Sequence, residues 1–153
     1  MGELQVIRIA TAAEMDEALQ VRRRVFVQEQ GVDEAIEIDE HDGDPASVTS
    51  CIHVLARLDG SAVATGRLLL GEGPEHEAHI GRVAVLASQR RSGTGRAVMS
   101  ALHDLARSLG YRGAALSAQS HAVGFYEGLG YVAQGDEYFE AGIPHREMHI
   151  RFV

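Results

Sequence analysis

Apolar and polar positions change period several times along the chain, and each change marks an element. After Gly93 the apolar residues Val98, Ala101, Leu102, Leu105, Ala106 and Leu109 fall at i, i+3, i+4, i+7, i+8 and i+11, one stripe of a helix, and Gly110 supplies a stop. Before that helix lies the polar turn Gln89-Arg90-Arg91-Ser92-Gly93-Thr94-Gly95-Arg96, and before the turn the strand-like run His79 to Val85. The stretch His79 to Gly110 therefore predicts strand, basic glycine loop, helix. Such a loop offers unpaired N–H groups and the positive end of a helix dipole, and Arg90, Arg91 and Arg96 add formal charge, so the guest it implies carries phosphate.

The remaining pattern supplies further elements. Leu4 to Ile9 alternates as a strand, and Thr11-Ala12-Ala13-Glu14 is a capping box opening a helix that runs towards Phe26. Met15, Ala18, Leu19 and Phe26 mark its inner face, with Arg22, Arg23 and Arg24 facing solvent or pairing with nearby acids. Gly31 to Ser50 has neither period and reads as a long mobile loop or short irregular helix. Cys51 to Leu58 and Ala62 to Leu70 flank the hairpin dipeptide Asp59-Gly60. Gly113 to Ala118 is a short strand. Ser120 can cap a helix with Ala122, Phe125 and Leu129 towards the core and Gly130 as its stop, before strands at Tyr131 to Ala133 and Arg146 to Val153. The order β-α-ββ-β-α-β-α-β-β predicts a mixed sheet with helices on its faces.

Composition narrows the function. A chain of 153 residues, 45% apolar, reads as one domain, residues 1–153, that buries its core without disulfides or metals. No leader or apolar run long enough to span a membrane is visible, so the expected location is cytoplasmic. The single Cys51 reads as a buried structural thiol. A net charge of −8 argues against nucleic acid as partner. Seven of the 22 acids fall between Gly31 and Asp44, leaving the rest of the chain nearly neutral. All cations are arginine, which excludes a lysine Schiff base and a P-loop lysine. The glycine loop also lacks the third glycine and the acid about twenty residues on that mark a dinucleotide fold.

The combination of Arg90-x-x-Gly93-x-Gly95 after the strand Ile80 to Val85, with Phe125-Tyr126-x-x-x-Gly130-Tyr131 further on, resembles the GNAT superfamily of acyl-CoA-dependent N-acyltransferases. Val25-Phe26-Val27-x-Glu29-Gln30 and Glu140-Ala141-Gly142-Ile143-Pro144-His145 are similar to its ElaA-like group. The resemblance covers nearly the whole chain. It implies an α/β fold with a central mixed, mostly antiparallel sheet, splayed between strands four and five, and helices on both faces. It also implies acetyl-CoA as acyl donor, an amine acceptor and, as is common in the family, a homodimer.

Carried over residue by residue, the resemblance places the loop Arg90, Arg91, Ser92, Gly93, Thr94, Gly95 and Arg96 on the pyrophosphate of acetyl-CoA. The backbone of Val83, Ala84 and Val85 would lie along the pantetheine and thioester, with a strand-four N–H polarising the carbonyl. Gln119 stands where many members have Asn, in the turn that contacts the cofactor arm. Tyr126 occupies the general-acid position; on pattern alone it also reads as a core aromatic of an amphipathic helix. For the base, His145 is the first candidate and Glu29 the second, with ordered water as the alternative. A non-catalytic acyl-CoA binder on the same scaffold is the rival reading.

Two histidine pairs do not point to a metal. Strand-forming neighbours surround His145 and His149, and residues four apart on a strand lie about 13 Å from each other; His76-x-x-His79 lies among acids without further ligand spacing. The expectation is no metal. The acidic segment Asp33 to Asp44 reads either as a solvated loop or as a wall of the acceptor site that attracts a cationic amine.

Overall fold

The computed structural model describes residues 2–153. Seven strands form one sheet: β1 Leu4–Arg8, β2 Cys51–Leu58, β3 Ser61–Leu69, β4 Ala78–Val85, β5 Gly113–Gln119, β6 Val132–Glu140 and β7 Ile143–Arg151, in the order β1-β2-β3-β4-β5-β7-β6. Every neighbouring pair is antiparallel except β4 and β5. Helices α1 (Ala12–Arg22), α2 (Glu34–Glu37), α3 (Thr94–Ser108) and α4 (Val123–Gly128) connect them.

Strand alternation sends the core to both faces. Val54 and Ala56 of β2 pack with Val98, Met99, Leu102 and Ala106 of α3, while Leu55 between them packs with Met15 and Ala18 of α1. The α3 stripe is therefore buried as its period predicts, although Leu109 lies past the helix end and is exposed. Helix α3 rests directly on β3 because position 66 has no side chain: a Cβ on Gly66 would stand 2.9 Å from Leu102 Cδ1 and 3.0 Å from Val98 Cγ1.

One seam of the sheet opens. Parallel pairing of β4 with β5 covers only Ala78 to Ile80 against Ala114 to Leu116. Beyond it, β4 stays with β3 and β5 stays with β7 as far as Gln119. The register of β3 against β4 slips between Thr65↔Ala84 and Arg67↔Gly81, which puts one extra residue into β4 at Arg82 and Val83. Arg82 takes a positive φ of 51° to accommodate it.

Several expectations need correcting. Helix α1 is opened by the expected Thr11–Glu14 capping box but continues past Phe26 as a π-helical turn, Arg23–Glu29, and Gln30 directly after it reaches Gln119. On α4, Tyr126 rather than Phe125 packs against the core, and Phe125 is 41% exposed. The final two strands are longer than the pattern suggested and meet in a tight turn at Ala141-Gly142, both at positive φ.

Of the two readings of residues 31–50, the short irregular helix is the one the structure has, as helix α2 and a 3-10 turn, Glu40–Asp42. Glu37 of α2 and Asp42 of the 3-10 turn are buried beneath the chain, whereas Asp33, Glu34, Glu40 and Asp44 stay exposed. Arg22, 1% exposed, donates to Glu37 Oε2 (2.8 Å), to Asp42 Oδ1 (2.6 Å) and to the Glu37 carbonyl (2.7 Å). Arg67 of β3 forks onto Asp39 at 2.8 Å through both terminal nitrogens. Of the three arginines expected to face solvent or pair with acids, Arg22 thus takes the second course, inside the protein. Cys51 is buried nearby, and burial pushes its thiol up to about 12, which fits an inert structural residue.

A buried pair broken on one side leaves an uncompensated charge. Arg22→Ala should therefore cost about 3–5 kcal/mol in urea unfolding. Acid should weaken the fold in two stages. Burial depresses the pKa of His53 and of His103, so they stay neutral when folded, and their contribution is lost as pH falls below the unfolded value of about 6.5. Burial alone would raise Asp39 and Asp42, but hydrogen bonds from Arg67 and Arg22 hold both below the usual carboxylate range, so their contribution is present above about 3.9 and lost below it. Burial raises Glu37 despite Arg22 and offsets part of the second stage. Urea midpoints should fall from pH 7 to 5.5 and again to 3.5; equal midpoints at pH 7 and 5.5 would remove the histidine stage.

Candidate functional site

Strand β4 ends at Val85, a 3-10 turn spans Ala87–Gln89, and the chain then turns through Arg91 (φ 63°) and Gly93 (φ 89°) into α3. Gly93 caps the helix through its carbonyl, which accepts from Ala97 N at 3.0 Å. Among the described residues, no protein acceptor takes the N–H groups of Arg91 through Arg96. Six consecutive donors at a helix N-terminus make an anion cradle. Gly93 suits its left-handed φ, and at Gly95 a Cβ would lie 3.3 Å from Phe125 Cζ, a tight contact that the ring would have to yield to. That contact also brings α4 against the loop.

Side chains sort themselves around this cradle. Ser92 Oγ donates to the Gln89 carbonyl (2.6 Å) and lies 3.1 Å from Thr94 Oγ1, which fixes the turn. Arg90 Nε donates to the Val85 carbonyl (3.0 Å), and its guanidinium grips both oxygens of Glu29 at 2.6 and 2.7 Å. Those hydrogen bonds hold Glu29 below the usual carboxylate range. Arg90 is thereby neutralised, and Arg91 and Arg96 remain the exposed cations without an ion-pair partner among the described residues.

The opened seam lies beside the cradle. Val83 and Val85 point towards the α3 core and Ala84 is buried with Val21 and Val25 of helix one. Side chains of this segment are spent on packing, so what it presents to the gap is backbone. Across the gap, Gln119 at the end of β5 exchanges carboxamide hydrogen bonds with Gln30 at 2.8 and 3.1 Å. The bridge joins helix one to β5, and sequence spacing gave no sign of Gln30 as its partner.

Tyr126 is half-buried, edge-on to Phe125 (5.0 Å between centroids) and to Tyr131 (5.8 Å). Burial pushes its phenol up to about 12, so it is fully protonated at neutral pH and suited to give a proton rather than take one. Its hydroxyl has no hydrogen-bond partner among the described residues. His145 sits opposite Gln119 on β5 and Tyr138 on β6, 7% exposed, with its ring stacked on Tyr138. Nδ1 donates to the Ile143 carbonyl at 2.7 Å, which leaves Nε2 with the lone pair in the neutral ring, 3.7 Å from Glu140. The structure thus gathers the loop, Val83 to Val85, Gln119 and Tyr126's helix around one end of the sheet, with His145 on the strand next to Gln119.

His149 and His76 have local partners. His149 Nδ1 lies 2.8 Å from Glu77, whose carboxylate outweighs burial and raises the imidazole pKa, and His76 lies 3.3 Å from Glu72. Asp39, Glu40 and His41 converge closely enough to share an ion, but Asp39 is already forked by Arg67. An open groove of about 970 Å³ beside Glu77, Arg112 and His149 lies at the opposite end of β5, away from the cradle. Sequence reasoning missed Arg67 and Arg82 as well as Gln30, because their partners lie far away along the chain.

Comparison with known proteins agrees with this geometry. The acetyltransferase (GNAT) domain family model matches residues 47–152. An uncharacterised protein of Bacillus subtilis, YyaT, is 37% identical over 143 residues, covering 93% of this chain and 92% of its own. The Escherichia coli protein ElaA is 32% identical over 129 residues, covering 83% of this chain and 80% of its own. Its crystal structure superposes with a TM-score of 0.81 over 99% of this chain and 100% of that one. An acyl-CoA N-acyltransferase from Pseudomonas aeruginosa superposes with a TM-score of 0.77 at 33% identity, over 97% of this chain and 99% of that one. A glycine cradle at the mouth of a parted parallel strand pair, in a chain matched by that family model over most of its length, means that this chain belongs to the GNAT family of acetyltransferases.

Proposed function

We propose that the protein transfers an acetyl group from acetyl-CoA to a primary amine of a small molecule or an exposed amino group. The observation that carries this reading is the adjacency of two backbone surfaces: the unpaired N–H groups of Arg91 to Arg96 and the β4 edge at Val83 to Val85, which has no strand partner on the seam side and whose Val85 carbonyl accepts from Arg90 Nε. The first suits a pyrophosphate, helped by Arg91 and Arg96. The second suits an extended amide-bearing arm that pairs with β4 as a strand would, with Gln119 at its far side.

In this reading the amine attacks the thioester carbonyl, a strand-four N–H stabilises the oxyanion, and collapse forms the amide and expels thiolate. Tyr126 gives the thiolate its proton, as a phenol kept neutral by burial can. The attacking nitrogen, an ammonium when free with a pKa of about 10, loses one proton to solvent before attack and a second, from the tetrahedral adduct, to Nε2 of His145 directly or through water; His145 then returns a proton to the Tyr126 phenolate. Glu29 is the weaker base because Arg90 holds it ionised and occupied. Its part is to tie the end of helix one to the loop. No helix among the described residues is long and apolar enough to cross a membrane, in keeping with action in the cytoplasm.

One observation favours the rival reading of a non-catalytic acyl-CoA binder: Tyr126 packs on the core, as a purely structural aromatic would. Turnover separates the two. With acetyl-CoA and a panel of amines, the wild-type protein should release thiol above background hydrolysis. Tyr126→Phe should lower kcat by about 10²-fold with CoA affinity retained, and His145→Ala should lower it and flatten the pH profile. Gly93→Val should instead weaken CoA binding measured by calorimetry, because a β-branched residue resists φ 89°. CoA binding without thiol release for any amine would favour the binder. Absence of CoA binding would contradict both.

A further inference from the structure

The extra residue in β4 is an arginine at φ 51°, a backbone conformation that non-glycine residues avoid. Its side chain explains why it stays there. Arg82 Nε donates to the carbonyl of Glu37 at 3.1 Å, and Nη2 donates to the carbonyl of Ile36 at 3.3 Å. The same guanidinium lies 3.2 Å from the Glu37 carboxylate and 3.5 Å from that of Asp39. Those two acids are themselves fixed from below, Glu37 by Arg22 of α1 and Asp39 by Arg67 of β3. The residue facing Arg67 across the sheet is Gly81, immediately before the bulge.

These contacts form a chain of force from one element to another. Arg82 is held on the α1 face by the acidic segment, Val83 is consequently turned to the α3 face, and the backbone between Arg82 and Val85 is left facing the open seam. A bulge without such a hold has a competing state in which the extra residue slips out and β4 closes towards β5. Nothing else among the described residues reaches the Arg82 side chain with an acceptor group.

We propose that Arg82 is a positioning residue, latching the β4 bulge to the acidic segment Ile36 to Asp39 and thereby fixing the backbone of Val83 to Val85 that aligns the acyl thioester. The kinetic half of this inference rests on the acetyl-transfer reading above; the mechanical half does not. The acidic segment, on this account, serves the acyl donor through main-chain geometry by way of Ile36 to Asp39, while Asp33, Glu34, Glu40 and Asp44 stay exposed. An acceptor or partner that displaced it would misalign the thioester without touching it.

Arg82→Gly tests this, because glycine accepts φ 51° freely and so permits the bulge while removing the latch. Hydrogen exchange read by mass spectrometry on the free protein should show peptides covering residues 34–42 and 81–86 exchanging at least about tenfold faster, with α3 unchanged. Arg82→Lys, which keeps the charge but cannot span two carbonyls and two carboxylates, should fall between. In turnover, Arg82→Gly should lower kcat about tenfold or more while calorimetric CoA affinity stays within about threefold. Unchanged exchange at 81–86, or equal acceleration in every peptide, overturns the latch. Faster local exchange with wild-type kcat overturns its role in alignment. A wild-type protein that binds CoA and releases no thiol sinks the acetyl-transfer reading, and exchange still decides the latch.

Discussion

The structure turns on a parting of two parallel strands. β4 and β5 hydrogen-bond at three residue pairs and then separate, and the separation leaves backbone donors and acceptors of both strands without a sheet partner. Buried backbone groups are seldom left this way unless something else takes them. Here the unpaired edges converge on six unpaired amides at the start of α3, so the cost of leaving both incomplete is concentrated at one place. The reading proposed above puts a donor thioester at this place, with Tyr126 and His145 as the groups that move protons.

In the account proposed above, charge holds the β4 bulge beside this parting in place. An arginine at the β4 bulge, two buried arginines beneath it and three acids of one irregular segment form a network on the α1 face. Burying these ions is expensive, and a hydrophobic cluster of the same volume would often serve stability as well. What a charged cluster gives instead is a directional hold, with each guanidinium reaching carbonyls and carboxylates at fixed angles. The same network accounts for the acid sensitivity expected of Asp39 and Asp42, and it sequesters acids that on composition alone looked free to meet an acceptor.

How much of this was visible in the sequence follows from which interactions are local. The capping box of helix one, the Asp59-Gly60 hairpin, the α3 stripe and the glycine loop all depend on residues within a few positions of each other, and each stands where its pattern put it. The chain order of the strands came from periodicity and the splayed seam from the family resemblance; the spatial order, with β7 between β5 and β6, was in neither. What the pattern did not disclose depends on distant partners. Arg22 looks like any arginine on an amphipathic helix until Glu37 and Asp42 fold over it, and Gln30 finds Gln119 across most of the chain. Phe125 and Tyr126 are adjacent aromatics, and only the packing of α4 on Tyr131 determines which turns inward.

The central claim is that the loop and the parted strands form one site for a single extended ligand. Solution NMR of the backbone amides during titration with coenzyme A addresses it directly. The account predicts that resonances of Gly93, Gly95 and Arg96 shift together with those of Val83 and Val85, with one shared affinity. Shifts confined to the groove beside Glu77 and His149, or loop shifts with β4 unmoved, would contradict it.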